Sequence, residues 1–375
     1  MVASHTWHPG TGRIASRWPV PVPLEADELL STWLVRVALS QGCDPLALTG
    51  ELWPKWRVWT LDLDRGVATE RLRILERMSG IDMSALDAAS LRTIAMAIGT
   101  AVPGDVAVVP WILALGSRNR QRHGGLQYCP QCFGTDKSPF YRLQWRLAWH
   151  NCCHVHSAAL LDRCCHCAAP VEPHRLSPPT GLLNVCSSCG YDLRACHAMA
   201  ADAGAMAFQI TADDVVSCGY GKYGEFTLAT TEWFLLSRYF LMLLRVAIRN
   251  SSSNLASCLV MLGADIPGMR PSLTGLGFEL LPVGERAVFL AGTGKLLAAG
   301  PKRLLETAQA LSLSSATLRQ CLSNLPVHIR DIVDALPKQS RSRKSNSKTA
   351  EIAPLPRQTV TRIWARLQRK MRRIS

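Results

Sequence analysis

A mainly α-helical, multi-domain architecture is what three features of the sequence predict. Apolar residues recur at helical spacing on both sides of the chain's middle. Ten of the fourteen cysteines are compressed into residues 121–197, and the C-terminal tail is strongly basic. A chain of 375 residues is long enough for two or three cores. Its composition, 48% hydrophobic and 19% charged, is that of a globular protein. Four regions follow: a helical N-terminal region over 1–120, a cysteine-rich module over 121–197, a helical domain over 198–336, and a basic linker and tail over 337–375.

The N-terminal region begins with PLEADELLSTWLVRVALSQG (23–42), where Leu29, Leu30, Trp33, Leu34 and Val37 share one helical face. Glu25, Asp27 and Glu28 suit the positive N-terminal end of that helix, and Gly42 is placed to stop it. A second helix is predicted within 64–80, with Leu72, Leu75 and Met78 on its inner side.

The middle region is too loop-rich to build a core from apolar residues alone, so its cysteines must supply the cross-links. Four paired sites follow one another: Cys129-Pro-Gln-Cys132, Cys153-His-Val-His156, Cys164-Cys-His-Cys167 and Cys186-Ser-Ser-Cys189. A two-residue gap lets a tight turn aim both side chains at one tetrahedral ion. Twenty residues separate the first two pairs and eighteen the last two, spacings that suit zinc ribbons. The simplest assignment gives two structural Zn2+ ions, one on Cys129, Cys132, Cys153 and His156 and one on Cys164, Cys167, Cys186 and Cys189. A cross-braced pairing uses the same eight side chains. Cys152, His154, Cys165 and His166 are expected to be bystanders, with Cys152 beside His156 as an alternative donor, and Cys196 and His197 lack a partner pair.

Four protein donors per ion leave no position for water, the mark of structural rather than catalytic zinc. Other enzymatic signatures fail. The nucleobase-deaminase pattern is absent. AGTGKLL (291–297) imitates a phosphate loop but has Phe289 where the first glycine belongs and Leu296 in place of Ser or Thr. No enzymatic activity is expected.

With that framework in place, the chain resembles the TniQ/TnsD family of transposon target-selection proteins. The opening segment offers Ser31, Trp33, Leu34, Arg36 and Ala38. The central segment offers Cys129, Pro130, Cys132, Tyr141, Arg142, Trp145, Cys153, His156, Leu160, Cys164 and Cys167. The resemblance covers roughly 17–195, with Cys165 standing where proline is usual. It implies a non-catalytic adaptor that binds target DNA, or a Cascade-type guide-RNA complex already on DNA, and recruits an AAA+ transposition ATPase. Dimers are within the family's range, so a homodimer is an expected form. A zinc-containing transcriptional regulator is the alternative, and a scaffold for protein partners a third reading.

The C-terminal half is read from its residues alone. The apolar run 233–248 contains Arg238 and Arg245 and is too short to span a bilayer, so it is expected to be a buried helix. LLETAQALSLSSATLRQCLSNL (304–325) fits a helix–turn–helix with its turn near Ser312, which would direct Ser315, Thr317, Arg319 and Gln320 toward a major groove. From Lys338 onward, twelve basic residues face Glu351 alone, so the tail holds +11 of the formal +14. Arg341, Arg343 and Lys344 are its candidate phosphate contacts. The segment 358–375 carries an apolar stripe including Val360, Ile363, Trp364, Leu367 and Met371, with Trp364 and Leu367 the expected anchors on a protein partner. No basic segment followed by an apolar stretch opens the chain, so a signal peptide is not expected. A cytoplasmic location follows, where thiols stay reduced and metal explains the cysteines better than disulfides.

Overall fold

The structure is a computed structural model that describes residues 17–100, 108–115, 123, 125–179, 182–269, 276–320 and 325–338, together with Thr361 and Trp364. It is mainly helical and divides into a large unit, Met1–Pro337, and a small one, Lys338–Ser375. Among the described residues no helix is long and apolar enough to cross a membrane.

Helix α1 (Leu30–Ser40) is buried from Leu30 through Leu39, as an all-round apolar helix must be. One side, with Leu30, Trp33, Leu34 and Val37, joins a smaller N-terminal core; the other, with Val35 and Leu39, joins the main core. The acidic residues expected to flatter its N-terminus lie ahead of it instead, and its first turn holds none. Glu28 grips Arg36 through two hydrogen bonds of 2.6 and 2.8 Å. The helix start is capped from a distance: Asp64 accepts from the Ser31 backbone N–H and hydroxyl, each at 2.9 Å. A carboxylate at that end satisfies amides that the helix itself cannot.

Helix α2 (Pro45–Leu52) starts on Asp44, whose side chain accepts from the Ala47 amide at 2.8 Å. Helix α3 (Thr69–Ser79) is shorter than the predicted 64–80, because Leu63–Arg65 form a separate 3-10 turn. It buries Leu72, Leu75 and Met78 and ends on Gly80 at φ +77. Two short helices, α4 (Met83–Ala88) and α5 (Arg92–Ala97), complete this layer.

The middle of the chain holds a short helix α6 (Pro130–Thr135), a two-residue hairpin of β1 (Cys152–Cys153) and β2 (Ala158–Ala159), and turns. Beyond it, α7 (Ala203–Cys218) begins on the cap Asp202 and leads through a hairpin, β3 (Tyr220–Tyr223) and β4 (Phe226–Ala229), into α8 (Thr230–Arg249). Helix α8 contains the predicted run 233–248 and buries Trp233, Phe234, Tyr239 and Phe240. It packs with α9 (Asn254–Met261) and α10 (Val283–Ala310), and α10 also lies along α7. Gly300, at φ +75 and ψ 171, breaks α10, and Pro301 restarts it. Helices α11 (Ser315–Arg319) and α12 (Val327–Asp334) follow. One hydrophobic cluster runs from Leu29 through Tyr128, Trp145 and Phe234 to Leu336.

Candidate metal centres and a knitted family region

Each cysteine cluster is assembled by turns whose backbone geometry the sequence permits locally. In the second, the Ala168 amide donates to the Cys164 carbonyl at 2.9 Å and the Gly190 amide to the Cys186 carbonyl at 2.8 Å. Cys164 and Cys186 then donate, each at 2.9 Å, to the carbonyls of Ala169 and Tyr191. The two turns are thus built alike. Both need a residue in the left-handed region just after the second cysteine: Ala168 at φ +58 and Gly190 at φ +73. Ser157, at φ +49, follows His156 in the same way. The Cys129–Cys132 pair uses a different device, the first turn of α6, with Pro130 fixing the backbone at its start.

These turns bring the eight side chains into two groups, Cys129, Cys132, Cys153 and His156 in one and Cys164, Cys167, Cys186 and Cys189 in the other. The pairs therefore combine in chain order rather than cross-braced. In the first group the Cys132 and Cys153 sulfurs are 3.5 Å apart, and His156 Nδ1 lies 3.6, 3.3 and 3.5 Å from the sulfurs of Cys129, Cys132 and Cys153. In the second, Cys164 and Cys189 are 3.7 Å apart, as are Cys167 and Cys186. Tetrahedral zinc, with bonds of about 2.3 Å to sulfur and 2.0–2.1 Å to nitrogen, sets donor separations of roughly 3.5–3.8 Å. Both groups could hold a metal ion of that size.

Their electrostatics agree. Hydrogen bonds from Cys129 and then Cys132 hold the Cys153 thiol far below its usual value, while hydrogen bonding to Cys129 pushes Cys132 far above its own. Thiols this crowded compete for protons, and a cation relieves that competition. Burial pushes the Cys186 thiol up to about 12. Arg142 supplies positive charge beside the first cluster. Burial disfavours its cation, but Asp136, at 2.8 and 3.1 Å, and the neighbouring Cys132 and Cys153 more than offset that. The same guanidinium lies over the rings of Phe140 and Trp145.

The remaining thiols and imidazoles separate clearly. Cys152 is buried and donates to Asn151 Oδ1 at 2.7 Å, and burial pushes its thiol up to about 12. His154 is exposed, and His166 stacks on Tyr191 with ring centres 5.2 Å apart. Cys165 and Cys196, expected to be a bystander and an unpartnered thiol, are joined in a disulfide. Thirty-one positions separate them, which is why no paired-site pattern in the sequence exposed the link.

The first centre is fastened to the N-terminal helices by contacts the sequence did not reveal. The chain at 27–29 runs beside 141–143: the Leu29 amide donates to the Tyr141 carbonyl at 3.0 Å and the Leu143 amide to Asp27 at 2.6 Å. Arg146, fully buried, reaches Asp64 at 2.7 Å and Asp62 at 2.6 Å, and also the Leu113 carbonyl at 2.9 Å. Asp64 thereby joins the α1 start to the segment between the first two cysteine pairs. Under the cluster, Phe133 packs against Tyr128, Tyr141 and Trp145. On the far side, Arg286 of α10 donates to Gln127 Oε1 and to the Ala148 carbonyl. Burial lowers that guanidinium to about 10, leaving it charged at neutral pH.

The candidate DNA-reading segment begins with the 301–310 part of α10, turns at Ser312, which takes φ +51, and enters α11. Leu313 and Leu318 are buried, and Arg319 and Gln320 are exposed. Arg319 pairs with Asp334 at 2.6 Å. Thr317 is half-buried with its hydroxyl 3.0 Å from that of Ser314, and the Ser315 amide donates to the Pro337 carbonyl. In the small unit, Thr361 and Trp364 are helical and Trp364 is 62% exposed. Arg341, Arg343, Lys344 and Leu367 lie outside the described residues.

Compared with known families, residues 19–160 match the model of the TniQ family. That span opens before α1, contains the Asp64–Arg146 link, and closes just past the first metal centre. No curated protein matches the chain.

Proposed function

Residues 19–160 belong to the TniQ family, which has a role in transposition, and from that premise we propose that the chain is a non-catalytic target-selection adaptor. It bridges target DNA, or a guide-RNA complex already bound to DNA, to an AAA+ ATPase that brings the transposase. The observation that carries this reading is the continuity of the matched region. Its opening helix and the segment that carries its first cysteine group are joined through the buried Ser31–Asp64–Arg146 network, an arrangement suited to presenting a fixed surface to a partner.

Zinc is the ion that the donor sets favour. Seven thiolates and one imidazole, at tetrahedral separations and in four-donor groups, match structural zinc in number and softness. Its contribution is folding energy, because the ion ties together two turns that are distant in the chain.

The basic tail supplies the second working part. Arg341, Arg343 and Lys344 attract phosphate, and the stripe around Trp364 and Leu367 orders on a protein partner, with Trp364 as the anchor. Arg319 at the end of α11 and Gln320 just after it add base or phosphate contacts once Arg319 leaves Asp334. The transcriptional-regulator alternative uses the same DNA-contacting parts without an ATPase. Pull-down of the purified chain with the AAA+ ATPase and with a guide-RNA complex on DNA separates the two. Trp364→Ala is expected to keep its zinc and its fold while losing about tenfold or more in affinity for one of these partners, since a buried aromatic anchor is worth about 2 kcal/mol. Absence of binding to either partner by the unaltered chain, with retained DNA binding, would favour the regulator.

A further inference from the structure

We propose that Cys165 and Cys196 form a reversible thiol–disulfide clasp that keeps the second cysteine ribbon closed when its ion is lost. The metal half of that statement rests on the zinc reading above. The disulfide half rests on the placement of the two sulfurs. Cys165 lies inside the first turn of the ribbon, between Cys164 and Cys167, and its backbone amide donates to the Cys196 sulfur at 3.4 Å. Cys196 directly follows the 3-10 turn Leu193–Ala195. That turn is held to the ribbon's other arm by the Leu193 amide on the Asn184 carbonyl at 2.7 Å and by Asn184 on Asp192 at 2.9 Å. Each sulfur is therefore positioned by backbone structure of its own, and the Cα atoms stand 5.7 Å apart, within the range a disulfide spans.

The bond joins the same two chain segments as the ion. Cys164 and Cys167 on one side, and Cys186 and Cys189 on the other, meet through metal; Cys165 and Cys196 meet through sulfur. Accessibility assigns the two cysteines different tasks. Cys165 is exposed and Cys196 is only 5% exposed. A low-molecular-weight disulfide such as oxidised glutathione reaches Cys165 first. The Cys165 thiolate attacks one glutathione sulfur and expels a glutathione thiolate. The Cys196 thiolate then attacks the Cys165 sulfur and expels the second. Two protein thiols are oxidised, one glutathione disulfide is reduced to two thiols, and the two protons pass to those leaving thiolates. Reduced glutathione reverses each step. Closing this loop removes conformations from the metal-free ribbon, so the oxidised form should resist opening after the ion departs.

The test uses the full-length protein, equilibrated in oxidising or reducing glutathione buffer and alkylated. A linked peptide containing Cys165 and Cys196 is sought by mass spectrometry. In parallel, samples are stripped with a chelator and digested, and the survival of the 164–196 segment is followed. We expect the linked peptide in the oxidised sample alone, and a segment lifetime at least about tenfold longer than in the reduced sample. Cys196→Ser should abolish both differences and leave the reduced-state behaviour as it was. Failure to find the linkage at any glutathione ratio, equal lifetimes in the two buffers, or a redox effect that survives in Cys196→Ser would each overturn the clasp. Zinc content per chain, measured on reduced protein before chelation, tests the metal reading separately.

Discussion

Cys129 and Cys152 are both buried thiols in the same module, yet their surroundings assign them opposite importance. Cys129 lies 3.6 Å from His156 Nδ1 within a four-donor group, whereas Cys152 donates to Asn151 and is not one of the four donors. Cys129→Ser is therefore expected to lower bound zinc from about two ions per chain to about one and to leave the protein insoluble or protease-sensitive, because structural zinc is folding energy. Cys152→Ser should keep both ions, since a serine hydroxyl can donate to Asn151 as the thiol does. Elemental analysis of the purified variants decides it; equal zinc loss in both would show the donor sets to be wrong. Arg146 is the other residue on which much depends. Its removal leaves Asp64 buried without its ion-pair partner, beside an Asp62 that keeps Arg65, and Arg146→Leu should cost about 3–5 kcal/mol, read as a fall in the denaturation midpoint. A change below about 1 kcal/mol would mean that water already screens the site.

At the scale of elements, two glycines fix how the hairpin and the long helices meet. A Cβ on Gly221 of β3 would stand 2.4 Å from the Trp233 ring of α8. No rotation of that ring is free, because Trp233 is also packed against Phe208 and Phe234. Gly300 breaks α10 at φ +75 and ψ 171, a conformation essentially confined to glycine that costs an L residue about 1–3 kcal/mol. Gly221→Ala should thus destabilise the large unit by about 1–3 kcal/mol through overpacking, and Gly300→Ala by about 1–3 kcal/mol through backbone strain. Thermal unfolding of the two variants measures both, and an unchanged Gly221→Ala would place the hairpin off α8. The segment expected to act as a helix–turn–helix starts at the second of these features, since the break at Gly300 lets residues 301–310 take a direction of their own.

For the whole molecule, charge is divided between two units of very different character. The tail carries +11 of the +14 and the large unit is nearly neutral. Each phosphate contact made by a lysine or arginine adds about 0.9 to the log–log slope of DNA affinity against salt. Removing residues 338–375 should flatten that slope by several units and weaken binding at low salt, while sequence preference stays as it was. Titration of both forms over a series of salt concentrations checks this. A slope left unchanged would assign the tail to a protein partner alone.

The donors of the two metal centres were legible in the sequence because a two-residue gap is a local quantity: a turn either aims both side chains at one point or it does not. The buried faces of α1, α3 and α8 were legible for the same reason, since 3.6-residue spacing is written in consecutive positions. Contacts between distant segments carry no such mark. The sequence showed neither that Asp64 caps α1 from 33 positions away nor that Arg146 meets it from 82. It equally hid the approach of Cys196 to Cys165. Which pairs come together was also a tertiary decision, because one set of spacings allowed two pairings and the fold, with Phe133 packed against Tyr141 and Trp145, groups the first pair with the second. Local geometry selected the donors; burial of aromatic and charged groups from remote parts of the chain selected their partners.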